Sequence, residues 1–147
     1  MEILVVGCQS EIKIHGNTVF RYNEFRNITS LDPAFARNPQ NIWPIQQIFN
    51  GLVQLDDSLR IRPEIAKSWQ INEDGTVYTF KLRDDVYFHK SRVFGSKETR
   101  TVTAEDFVFS FNRLKDEKTG SPGGWVLQNV KNYHAPDTHV LQIELKH

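Results

Sequence analysis

The sequence predicts an α+β fold in which a mainly antiparallel sheet is combined with two main helices. Three observations support it: apolar residues alternate on both sides of an Asn-Glu-Asp-Gly turn at 72–75, apolar residues recur at helical spacing in two other segments, and turn-forming residues separate these elements. With 147 residues, of which 39% are apolar and 24% charged, the chain has the length and composition of a single globular domain.

The β-hairpin around the 72–75 turn is the clearest predicted element. Gly75 suits the turn because a residue without a Cβ atom adopts a positive φ freely. Period-two alternation predicts that one face of both strands is turned toward the core, and this face carries Trp69, Ile71, Tyr78, Phe80 and Leu82. Asp84 and Asp85 interrupt the second strand, which is predicted to resume at 86–88.

Helical spacing predicts one helix between residues 42 and 52 and another that begins at Thr103. For the first we expect Asn41 as the N-cap, Pro44 within the first turn, where its missing amide is tolerated, and Gly51 at the end. In the second, Thr103 and Asp106 have the spacing of a capping box. The stripe that this second helix buries is predicted to contain Phe107, Val108, Phe111 and Leu114.

The other segments are assigned from shorter patterns. Alternation at 18–22 predicts a first strand, and two prolines predict an irregular connection over residues 23–41. The remaining assignments are a short strand at 52–55, a polar basic loop at 90–100, a Gly/Pro loop at 119–124 and two closing strands at 126–133 and 139–145.

Composition and motif searches argue against several functions. Eighteen basic side chains balance eighteen acidic ones, so the charge gives no indication of nucleic-acid binding. The histidines are scattered and there is no cysteine pair, which disfavours a metal site. Neither a G-x-S-x-G nucleophile motif nor a glycine-rich phosphate loop occurs, and the Asp pairs at 56–57 and 84–85 lie in turns. The sequence therefore predicts neither an enzyme nor a cofactor.

The single cysteine, Cys8, follows the sequence Ile-Leu-Val-Val-Gly. This setting resembles a bacterial lipobox, in which the cysteine receives a lipid, and residues 1–17 would then be a lipoprotein signal remnant and tether. The alternative is a buried cysteine on an N-terminal strand. No apolar stretch approaches the ~20 residues that a transmembrane helix needs, so a lipid anchor is the one membrane attachment that we expect.

Three motifs occur in order along the chain: GLVQLD at 51–56, RPEIAKSWQINEDGTVYTFKLRDDVYFH at 62–89 and VTAEDFVFSFNRL at 102–114. Together they resemble the family 5 extracellular solute-binding proteins of ABC transporters, the dipeptide-, oligopeptide- and nickel-binding group. SLDPAFA at 30–36 is similar to a loop of the same family. The 90–101 loop departs from the family pattern, because it is longer and lacks the usual Asp-Gly.

The resemblance implies a fold and a function. Residues 18–147 would form the N-terminal strand and the small accessory subdomain of a two-lobed periplasmic-binding-protein fold, incomplete because the second lobe is absent. The protein would capture peptides or a similar small solute for an ABC importer, at the periplasmic or extracellular face of a bacterial membrane. Its partners would be the solute, an ABC permease and the missing lobe of the same polypeptide. The alternative function is a stand-alone interaction module that binds another protein through a β-sheet edge.

The resemblance also indicates which residues would border the solute cleft. Five of them follow the first strand and its loop: Tyr22, Asn23, Leu31, Asp32 and Pro33. The sixth, Trp125, is similar in position to a cleft-facing aromatic residue of nickel-binding members. The alternative for Asp32 is a turn residue before proline, and for Trp125 it is core packing or loop anchoring.

Overall fold

The computed structural model describes residue 23 and residues 26–146, so the strand predicted at 18–22 lies outside the described residues. Two α-helices are present in the described part, α1 (Pro39–Ile48) and α2 (Ala104–Lys115). Six strands accompany them: β1 (Val53–Leu55), β2 (Ile61–Pro63), β3 (Ala66–Ile71), β4 (Val77–Leu82), β5 (Val130–Asp137) and β6 (Val140–Leu145). Three short 3₁₀ helices cover Pro33–Phe35, Arg92–Lys97 and Gly124–Leu127. The predicted α+β fold is confirmed.

Within the described residues, the main sheet has four antiparallel strands in the order β3-β4-β6-β5, and β1 and β2 form a separate two-stranded sheet. The predicted hairpin is β3 and β4. Its turn is held by Asn72, whose side-chain oxygen accepts hydrogen bonds from the amides of Thr76 and Val77, each at 2.9 Å. Gly75 has a φ of +71°, as the turn requires. Trp69 pairs with Phe80 and Ile71 with Tyr78, which confirms that the predicted apolar residues share one face.

The core lies between this sheet and α2. Four of its residues have no exposed surface, namely Ala66, Leu82, Ala104 and Leu141. Around them pack half-buried apolar side chains from the sheet and from α2, including Phe80, Phe107, Val108 and Phe111. Full burial of one leucine side chain contributes about 1.5–3 kcal/mol to folding. Three of the four residues predicted for the α2 stripe, Phe107, Val108 and Phe111, pack against this core, whereas Leu114 is not among the residues packed against it.

The start of α2 is fixed by the predicted capping box. The Asp106 carboxylate accepts a hydrogen bond from the backbone amide of Thr103 at 2.8 Å, so one of the amides left unpaired at a helix start is satisfied. In addition, the amide of Ala104 donates to the carbonyl of Thr138, in the turn between β5 and β6, at 2.8 Å. These contacts join the helix start to the sheet.

The predicted start of α1 is wrong. The N-cap is Asn38, and the helix begins at Pro39, whose fixed φ suits a first helical position. Asn41 lies inside the helix and is buried; its side-chain oxygen accepts a hydrogen bond from the amide of Thr29 at 3.0 Å. Pro44 consequently lies in the second turn, where it removes a helical hydrogen bond.

The predicted end of α1 is also wrong. The helix ends at Ile48 with Phe49 as its C-cap, before Gly51 is reached. Gly51 instead links the residues after α1 to the segment before β3, because its amide donates to the Glu64 carboxylate at 2.7 Å. Helical spacing alone does not indicate that α1 ends at Ile48, since apolar residues continue at that spacing through Phe49 and Leu52.

Other boundaries differ from prediction because local turns interrupt the patterns. The connection at 23–41 contains the Pro33–Phe35 3₁₀ helix and the start of α1. The strand predicted at 86–88 is reduced to a single bridge between Tyr87 and Thr101. The 90–100 loop contains the Arg92–Lys97 3₁₀ helix, and the Gly124–Leu127 3₁₀ helix delays β5 to Val130.

Candidate functional site

The segment at residues 28–36, hereafter the edge segment, contains the predicted residues Leu31, Asp32 and Pro33. The carboxylate of Asp32 accepts two hydrogen bonds from the Arg113 guanidinium of α2, Nη1 to Oδ1 at 3.0 Å and Nη2 to Oδ2 at 2.7 Å. It also caps the Pro33–Phe35 3₁₀ helix by accepting from the Ala34 amide at 3.0 Å. Asp32 therefore links two elements that lie far apart in the sequence.

The charge of Asp32 is stabilised in this setting. Hydrogen bonding from Arg113 is the main reason that the pKa of Asp32 lies below its ordinary value; partial burial acts in the opposite direction, and the Ala34 amide adds to the lowering. The two side chains are 36% (Arg113) and 33% (Asp32) exposed, so water still screens the pair. The contact is a half-buried, two-pronged ion pair, a geometry that fixes orientation as well as distance.

A second link joins the edge segment to the loop after α2. The Ser121 hydroxyl donates to the carbonyl of Ala34 at 2.6 Å and accepts from the amide of Gly123 at 3.1 Å. Gly124 lies so close to the end of α2 that a Cβ atom added there would be 2.9 Å from the carbonyl oxygen of Leu114. The edge segment and the Gly124–Leu127 3₁₀ helix are thus held at the same end of α2.

An open groove of about 840 Å³ follows the outer face of α2. Its lining includes Pro33, Ala34, Phe49, Phe109 and Arg113. A smaller recess of about 250 Å³ shares four of the groove's lining residues, Phe49, Phe88, Asp106 and Ser110, and extends toward Ile65. Phe109 is 65% exposed, which leaves a large apolar side chain in water on this face.

At the other end of the groove, Arg100 forms an ion pair with Asp106 and lies over the ring of Phe88 at 4.6 Å. Burial by itself raises the pKa of Asp106, but the hydrogen bonds from Arg100 and Thr103 outweigh it and lower that pKa. Both aspartates at this face of α2, Asp32 and Asp106, are therefore engaged by arginines. Their contacts maintain the structure and leave little capacity to act as an acid or a base.

The six predicted cleft residues fall into three groups. Tyr22 lies outside the described residues, as does the predicted lipidation site Cys8. Asn23 is exposed and lines neither the groove nor the recess. The contacts around Asp32, Ser121 and Gly124 bring the other four residues to the C-terminal end of α2: Leu31, Asp32, Pro33 and Trp125. Of these four, Pro33 alone lines the groove.

The exposure of Trp125 bears on one of its alternative interpretations. Trp125 is 70% exposed, which argues against core packing among the residues that the structure describes, whereas loop anchoring and contact with a solute are both compatible with this exposure. Leu31 is also exposed, at 46%. For Asp32 the turn-residue alternative is correct in part, since the residue caps a 3₁₀ helix and in addition binds Arg113.

Two residues of this region, Arg113 and Ser121, were not identified from the sequence. Arg113 contacts a residue 81 positions away, and Ser121 contacts one 87 positions away. Helical spacing indicates which face of α2 is apolar, but it carries no information about such distant polar partners. A single sequence contains no signal that would have found them.

The described residues contain neither a candidate metal site nor a candidate membrane-spanning helix. They contain no group of three or more His, Cys, Asp or Glu side chains that could hold a metal ion. No helix in the same residues combines the length and the apolar character needed to cross a bilayer.

Comparison with known proteins gives a consistent family assignment. The model of a family described as "Bacterial extracellular solute-binding proteins, family 5 Middle" matches residues 60–147. The periplasmic murein peptide-binding protein MppA of Escherichia coli is 35% identical over 133 residues, which cover 79% of this chain and 23% of that protein. The chain thus spans about a quarter of the length of such a relative.

Two solved structures show the same fold. The substrate-binding domain of an oligopeptide ABC transporter from Bacillus anthracis matches with a TM-score of 0.74 and 28% identity, covering 85% of this chain and 26% of that one. The periplasmic binding protein DppA from Helicobacter pylori, in complex with the peptide STSA, matches with a TM-score of 0.68 and 32% identity, covering 80% and 25%.

Proposed function

This chain belongs to the bacterial extracellular solute-binding proteins of family 5, and on that premise we propose that it is part of a protein that captures peptides or a similar small solute for an ABC importer. The observation that carries the proposal is the family match over residues 60–147, joined to a shared fold with a DppA solved in complex with a peptide. Such a protein works outside the cytoplasm and delivers its solute to a membrane permease.

The proposal assigns these residues to one side of a cleft. A site for a small ligand normally encloses most of the ligand's surface. The groove along α2 is open to solvent and its large apolar residue Phe109 is exposed. We therefore propose that residues 18–147 supply the N-terminal strand and an accessory subdomain, and that a second lobe of the same polypeptide completes the pocket.

At the edge of this cleft, beside the groove rather than in its lining, two exposed apolar side chains are the strongest candidates for solute contact. Leu31 and Trp125 belong to elements that meet at the end of α2, and an exposed tryptophan offers a large rigid surface for stacking or apolar contact. Tyr22, Asn23 and Pro33 are proposed to border the same edge. Asp32 is proposed to act through its position, because Arg113 already binds its carboxylate.

The mechanism is non-covalent capture. Solute that contacts both lobes stabilises the closed arrangement over the open one, and the closed arrangement is what a permease would recognise. Attachment to the membrane is proposed to occur through a lipid on Cys8, with residues 1–17 as signal remnant and tether. Replacing Cys8 by Ser should then release the protein from the membrane fraction of a bacterium that expresses it.

A subdomain exchange tests the proposal. Residues 26–146 of this chain would replace the matching quarter of the E. coli murein tripeptide binding protein, whose structure matches with 34% identity and a TM-score of 0.67. We expect the hybrid to bind the murein tripeptide within about tenfold of the parent affinity, because most exchanged residues are scaffold. A hybrid that folds cooperatively but does not bind the tripeptide would contradict the proposal.

Two variants of the hybrid test the contact residues. Trp125→Ala should weaken tripeptide binding, because it removes a large exposed aromatic surface at the proposed cleft edge. Leu55→Ala is the matched control, since Leu55 is also exposed but lies on β1, in the separate two-stranded sheet. If both variants bind the tripeptide with equal affinity, Trp125 does not contribute to the site.

A further inference from the structure

We propose that Arg113 is a positioning residue, which holds the edge segment against α2 through Asp32 and thereby fixes the edge of the solute cleft. This inference rests on the proposed function, because that function is what makes the edge part of a solute cleft. The Arg113 guanidinium sets the position of residues 31–33 through its two hydrogen bonds to Asp32, whatever the function of the cleft.

The edge segment has little apolar burial to hold it. Ala34 is the only buried residue among residues 28–36, whereas Leu31 and Phe35 are exposed. The segment is instead attached by polar contacts to three places: Thr29 to Asn41 of α1, Asp32 to Arg113 of α2, and Ala34 to Ser121 after α2. A segment attached in this way is sensitive to the loss of a single contact, because no packed interior compensates for it.

Arg113 provides the most directional of these contacts. Its two nitrogens meet the two oxygens of Asp32 at 3.0 and 2.7 Å, so both the distance and the tilt of the carboxylate are set. The other two attachments involve neutral groups, which form weaker hydrogen bonds than an ion pair does. A lysine at position 113 would keep the positive charge but could not form the two parallel hydrogen bonds of the guanidinium.

The orientation of Asp32 affects the positions of the residues next to it. Its side chain accepts the amide of Ala34 and its carbonyl accepts the amide of Phe35 at 3.0 Å, so the first turn of the 3₁₀ helix depends on Asp32. Leu31 precedes it directly and projects an exposed side chain. Moving the carboxylate would therefore shift both the helix start and the residue proposed to contact solute.

This arrangement also assigns the Asp32 carboxylate a fixed partner. With two hydrogen bonds from Arg113 and one from Ala34, it is already satisfied by the protein. A solute amino group would have to displace Arg113 to form an ion pair there. Recognition at this edge is accordingly assigned to Leu31 and to the backbone that Arg113 positions.

Amide hydrogen exchange on the whole chain, without solute, tests the role. In Arg113→Gln, the amides of Ala34, Phe35 and Ala36 should exchange about fivefold faster, since the ion pair no longer opposes local opening. The amides of Leu82 and Ala104, which are bonded within the core, should keep their rates. Arg113→Lys should give an intermediate acceleration.

The matched control is Arg83→Gln. Arg83 also forms a two-pronged pair, with Asp85 at 2.8 and 3.0 Å, but it lies after β4 and, among the residues that the structure describes, forms no hydrogen bond with the edge segment. This variant should leave exchange at residues 34–36 unchanged. Unchanged exchange in Arg113→Gln would overturn the proposal, and so would an equal acceleration at Leu82 and Ala104, which would mean that the arginine stabilises the whole fold.

A spectroscopic signature completes the test. Carbon NMR of the Asp32 carboxylate should give a pKa below the ordinary 3.8 in the parent chain and a pKa closer to 3.8 in Arg113→Gln. An unchanged titration would also overturn the proposal. Because neither measurement uses a solute, these failures reject the role of Arg113 alone, whereas a folded hybrid that does not bind tripeptide rejects the proposed function.

Discussion

Two parts of the molecule, the four-stranded sheet with α2 and the residues 26–50, differ in what holds them in place. In the first, Leu82 and Leu141 have no exposed surface and α2 packs its apolar stripe on the sheet. In the second, only Ala34 and Ile45 are buried apolar residues, and contacts such as Asp32 to Arg113 make the attachment. Apolar packing therefore defines one part, and polar contacts between distant residues define the other.

The difference bears on function. A packed core resists small changes, so it suits a scaffold, whereas a segment attached by a few polar contacts can be repositioned by changing one of them. The residues proposed to contact solute belong to the polar-attached region and to the loop after α2. Substitutions in the packed part should therefore lower the free energy of unfolding more than substitutions in residues 26–50, whose effects should stay local.

The largest effect is expected at the centre of the core. Leu141→Ala should lower the free energy of unfolding by about 2–5 kcal/mol, because it leaves a cavity beneath α2. Leu55→Ala is the control, since Leu55 is 61% exposed and should change stability by less than about 0.5 kcal/mol. Urea unfolding measures both, and similar losses would contradict the assigned core.

A smaller effect is expected where the loop after α2 meets the helix end. Gly124→Ala would put a Cβ atom 2.9 Å from the Leu114 carbonyl, so the backbone must shift at a cost of about 1–3 kcal/mol. At Gly123 the nearest atoms to an added Cβ are at 3.4 and 3.5 Å, which is ordinary contact, and Gly123→Ala should be nearly neutral. Comparable unfolding curves for the two variants would show that the close approach does not exist.

The start of α2 gives the third prediction. Asp106→Ala removes the acceptor for the Thr103 amide and the partner of Arg100, and should cost about 0.5–2 kcal/mol. Glu105→Ala, one residue earlier and exposed, is the control and should cost clearly less. Thermal unfolding monitored by circular dichroism measures both variants. Equal unfolding temperatures would argue against the capping box.

The smallest global effect is expected at Asp32. At pH 6, Asp32→Asn should lower stability by about 0.2–1 kcal/mol, the usual range for a partly exposed ion pair. Because folding lowers the pKa of Asp32, the contribution of its charge is complete above 3.8 and is lost as the pH falls through the lower folded-state value. The stability difference between parent and variant should therefore shrink in acid; a constant difference from pH 6 to pH 2 would contradict the ion pair.

What could be predicted from the sequence follows the same division. The β3–β4 hairpin, three of the four residues of the α2 stripe and the capping box were identified correctly, because they depend on neighbours within a few residues. The ends of α1 were not, because Asn41 is buried against Thr29 and the helix stops before its apolar pattern does. The ion pair between Asp32 and Arg113 depends on the folded chain, so local patterns contain no trace of it.

We propose that these residues form one side of a solute cleft that further polypeptide completes. Calorimetric titration of this 147-residue chain with di- to pentapeptides tests it most directly. We expect no binding tighter than about 1 mM, because an open groove leaves most of a bound peptide in water. Saturable binding with micromolar affinity, abolished by Trp125→Ala, would contradict the claim by showing that the chain holds a complete site.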